Sequence, residues 1–77
     1  MPLTHLSIPE TIKTEAVQIL ADLENANGLL EMSQLAGVAE GFTRALGCVK
    51  ALPQAELDTL ERVFTSAVSR RMAALRG

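Results

Sequence analysis

Between Met32 and Val49 the apolar residues Met32, Leu35, Ala39, Phe42, Leu46 and Val49 are separated by three, four, three, four and three positions. Side chains at that spacing line up along one side of an α-helix, whereas on a strand they would scatter over both faces. The seam stops before Pro53, whose ring disfavours helical geometry at Leu52 and suits the first turn of a new helix. Two further segments keep the same rhythm. Ile12, Ala16, Ile19, Leu20 and Leu23 precede the seam, and Leu57, Leu60, Phe64, Ala67, Val68, Met72 and Leu75 follow it. No stretch shows the alternation of a strand.

Punctuation sets the expected ends. Ser7 and Glu10 have capping-box spacing, and Pro9 falls in a first turn, where a missing N–H costs little. Asn27-Gly28 reads as a left-handed stop, and Ser33 as a cap for the next helix. Glu56, Asp58 and Glu61 gather at the start of the last helix and Arg70, Arg71 and Arg76 at its end, as the helix dipole favours. The reading is all-α: a flexible arm at 1–6 and three helices over about 8–27, 31–51 and 53–75, with helix 2 central.

A chain of 77 residues builds one small core of marginal stability. Cys48 and His5 are the only residues of their kinds, so neither an internal disulfide nor a zinc cluster can reinforce it. Self-association or tight helical packing remains as the way to compensate. With net charge −2, no general attraction to nucleic acid or an anionic membrane is expected. No apolar run suits a bilayer, and "MPLTHLSIPE" lacks the basic and apolar regions of a signal peptide. With the free thiol, this predicts a cytoplasmic protein. No nucleophile–histidine–acid group, phosphate-cradling loop or metal cluster can be assembled. The expectation is therefore no catalytic activity, no cofactor and no metal.

Three glycines in "GVAEGFTRALG", Gly37, Gly41 and Gly47, admit two readings. In the first, the stretch bends. Leu35-Ala36-Gly37-Val38 followed by Thr43-Arg44-Ala45-Leu46 resembles the helix-turn-helix of LacI-type repressors, with one residue fewer between Gly37 and the Arg-Ala-Leu group. That resemblance implies a small DNA-binding regulator acting through residues 32–46. In the second, the stretch is one helix with a thinned face. Gly37, Gly41 and Ala45 are four apart and stack, Cys48 joins them, and small residues so placed let two helix backbones approach closely. Ser33, Glu40, Thr43, Arg44, Gly47 and Lys50 form the polar side, with Glu40 and Arg44 as a surface ion pair. Asp58 and Arg62 read as a second such pair.

The second reading is preferred. It predicts a homodimer through Gly37, Gly41, Ala45 and Cys48, with Cys48 a small buried hydrophobe. Arg71 breaks the apolar stripe of helix 3. Either its stem covers the core edge, or Arg70, Arg71, Met72 and Leu75 form a site for an unidentified protein partner. The expected function is a non-enzymatic interaction protein: an adaptor, a regulatory subunit, or an inhibitor of the kind phages and plasmids carry.

Overall fold

A computed structural model describes Leu3 and residues 7–77 of the chain. Over these residues there are three helices and no strand: α1 (Glu10–Glu24), α2 (Leu29–Cys48) and α3 (Gln54–Arg76). The all-α expectation holds. Of the expected arm, Leu3 is fully buried, while the other residues before Ser7, His5 among them, lie outside the described set.

α1 begins with Pro9 as its N-cap, and no side chain caps it. Pro9 is extended, at φ −53° and ψ 141°, so Ser7 stands two residues before the cap and the expected capping box does not form. The first helical bond runs from the Lys13 N–H to the Pro9 carbonyl at 3.0 Å. Ala16, Ile19, Leu20 and Leu23 are buried, a spacing that keeps them on one side.

α1 ends three residues before the expected stop. Asn25 closes it, and its Nδ2 donates to the Ala21 carbonyl at 2.7 Å. Neither Asn27 nor Gly28 is left-handed. Gly28 is extended and caps α2, its carbonyl accepting the Met32 N–H at 2.9 Å. The early exit has a packing reason. Ala26 in the link is fully buried, so the chain leaves the helix in time to turn that residue inward. Ser33 is an exposed residue inside α2 rather than its cap.

α2 is uninterrupted from Leu29 to Cys48. The turn at Ala36–Val38 that the repressor resemblance requires is absent. Met32, Ala39 and Leu46, seven apart, are buried, with Leu35 and Phe42 packed at their edges. The predicted seam is therefore correct except at its end, where Val49 caps the helix and is 72% exposed.

A Schellman motif makes that end. The Ala51 N–H donates to the Leu46 carbonyl at 2.9 Å and the Lys50 N–H to the Gly47 carbonyl at 3.2 Å. These are the paired closing bonds of the motif, which needs a left-handed residue between them. Lys50 fills that place at φ 54°. A non-glycine residue there carries a steric cost of about 1–2 kcal/mol. Lys50→Gly is accordingly expected to raise stability by about 1 kcal/mol, less the entropy glycine loses on folding. In a domain of this size that is a rise of roughly 4–8 °C in a thermal melt. An unchanged or lower melting temperature would show that the lysine is unstrained.

Pro53 caps α3. The helix has 23 residues, which at about 1.5 Å each gives a rod of roughly 34 Å. The longest dimension of the molecule is 37 Å. α3 thus runs its full length, and it contacts α1 and α2 more than they contact each other. The expectation that helix 2 is central is corrected: α3 is the spine. Leu57, Leu60, Phe64 and Ala67 are its buried residues, and Phe42 meets Phe64 edge-on with ring centroids 6.5 Å apart. Every buried residue among those described is apolar. No helix among them is long and apolar enough to cross a membrane.

Candidate functional site

The core face of α2 is defined by Met32, Ala39 and Leu46. At about 100° per residue, Leu30, Gly37, Gly41 and Cys48 lie nearly opposite it, and all four are exposed. Gln34, Arg44 and Ala45 fall within the same stripe, and Val38 borders it. Leu30 is 76% exposed and Val38 52%. The described large apolar side chains that are exposed are Leu29, Leu30, Val38 and Val49. All belong to α2 or its ends, and none to α1 or α3.

The glycines divide by environment. A Cβ at Gly47 would touch Leu57 Cδ1 at 3.6 Å, whereas one at Gly37 or Gly41 would meet nothing within 4 Å. The side of α2 that thins to receive α3 therefore carries Ala36, Ala39, Thr43 and Gly47, not Gly37, Gly41 and Ala45. Thr43 and Gly47, read as polar-side residues, are half-buried. The Thr43 hydroxyl is satisfied by donating to the Ala39 carbonyl at 2.9 Å. The four residues expected at a dimer contact, Gly37, Gly41, Ala45 and Cys48, do share one face, and all four are exposed among the described residues. Cys48 is exposed rather than buried.

Sequence reasoning missed Leu30 as part of this surface. The signal was the pair Leu29-Leu30, because neighbours on a helix point about 100° apart and cannot both reach one core.

The end of α3 has a different character. Arg71 Nε donates to the Ala26 carbonyl at 2.8 Å, with the side chain half-buried. It ties the last turns of α3 to the α1–α2 link and gives that carbonyl a partner. Arg70 Nη2 lies 4.0 Å from Glu24 Oε2, both groups well exposed. Met72 and Leu75 pack against the core. The stripe-breaking arginine is thus engaged inside the fold, together with the apolar residues beside it.

Between α2 and α3 an open groove of about 650 Å³ has Ala39, Leu57, Phe64 and Val68 among its lining, with Glu40, Arg44 and Glu61 at its rim. Arg44 and Glu40 form the expected surface pair at 3.9 Å. The pair expected between Asp58 and Arg62 is absent. Asp58 Oδ1 accepts from Gln54 Nε2 at 2.9 Å, and Arg62 Nη2 donates to the Thr59 hydroxyl at 3.2 Å. Among the described residues no group of three His, Cys, Asp or Glu side chains is placed to hold a metal ion.

Fold and surface together define a small three-helix bundle with several large apolar side chains exposed on α2 and its ends. No family model, curated protein or solved structure matches the chain.

Proposed function

We propose that this chain is a non-enzymatic protein–protein interaction module that works as a homodimer through the outer face of α2. The carrying observation is that, among the described residues, the exposed large apolar side chains cluster on α2 and its ends, with two stacked glycines on its outer face at which an added Cβ would meet nothing within 4 Å. Each glycine within a helix costs about 1 kcal/mol relative to alanine. Gly47 faces α3, where an added Cβ would sit at an ordinary contact distance from Leu57. Gly37 and Gly41 gain a purpose once a second helix backbone lies across them. The adaptor, regulatory and inhibitor roles all fit a module of this kind.

The face is small. A helix of this length is about 30 Å long, and one side of it covers roughly 300–500 Å² per copy, against about 800 Å² per partner in a standard interface. The dimer is therefore weak, and its formation depends on concentration.

Gly41→Leu separates the fold from the contact. In the single chain the new side chain meets open space and gains about 0.8–1 kcal/mol of helix propensity. Across a close helix pair it forces the backbones apart, at about 1–3 kcal/mol or more. Sedimentation from micromolar to millimolar protein is expected to show a monomer–dimer equilibrium for the native chain. The variant should be monomeric and melt at least as high. A native chain that stays monomeric throughout, or a variant that dimerises equally well, would refute the reading.

A further inference from the structure

We draw no further inference here: the strongest candidate, the open groove between α2 and α3 lined by Leu57, Phe64 and Val68 with Glu40, Arg44 and Glu61 at its rim, carries nothing, because its rim charges are of both signs and nothing in the structure shows what covers it.

Discussion

Leu60→Ala is expected to remove most of the stability of the bundle. Leu60 is fully buried in α3, the helix that holds the other two together. Truncating a buried leucine to alanine costs about 2.7–5 kcal/mol, the higher values applying where neighbours cannot collapse into the space. Relaxation here is limited, because Leu20 and Leu23 of α1 and Met32 of α2 are also fully buried in the same core and held by two separate helices. A core of this size rarely supplies more than about 3–5 kcal/mol in total. The loss is therefore of the same order as the whole. Circular dichroism is expected to show a melt shifted down by about 12 °C or more, or no cooperative transition at all. A shift of two or three degrees would place Leu60 outside the core.

Arg71→Ala is the second large expected effect, and it contrasts with its neighbour. The Arg71 Nε–Ala26 bond is charge-assisted and partly sheltered, and such bonds contribute about 1.5–3 kcal/mol. Removing the donor also leaves the Ala26 carbonyl without its partner in a link whose side chain is fully buried. A fall of roughly 10 °C in the melting temperature is expected. Arg70→Ala loses only an exposed pair at 4.0 Å, worth at most about 1 kcal/mol. If the two variants melted alike, the Arg71 contact would not be structural. The sequence placed both residues in one candidate patch, because adjacent arginines look equivalent until the long-range contact of one is known.

Other features were legible for identifiable reasons. The seam of α2, the core residues of α1 and α3 and the break before Pro53 all follow from local geometry, and local geometry is written in the spacing. The inward side of α2 was legible too, because Met32, Ala39 and Leu46 repeat every seven residues. The side that meets α3 was not. Ala36, Thr43 and Gly47 are short side chains much like Gly37, Gly41 and Ala45, and only the placement of Leu57 and Phe64 across the groove decides which set faces α3. The helix ends were misplaced where tertiary demand overrode local preference. Asn27-Gly28 has good stop chemistry, but burial of Ala26 required an earlier exit. Lys50 has poor left-handed chemistry, yet a Schellman closure puts it there.

The two unused glycines also bear on how firmly the backbone is held. Gly37 and Gly41 present their backbone to water with no side chain to shield it, midway along α2 and on the side away from the spine. On that outer side the helix has only its hydrogen bonds, whereas the inner side of the same turns is held by Ala39, Leu35 and Phe42. In the dimer proposed above, the least shielded backbone of α2 and the proposed contact surface are the same turns of one helix. A partner laid across them would bind the chain and also stiffen it, so that the rigidity of α2 becomes a property of the assembly.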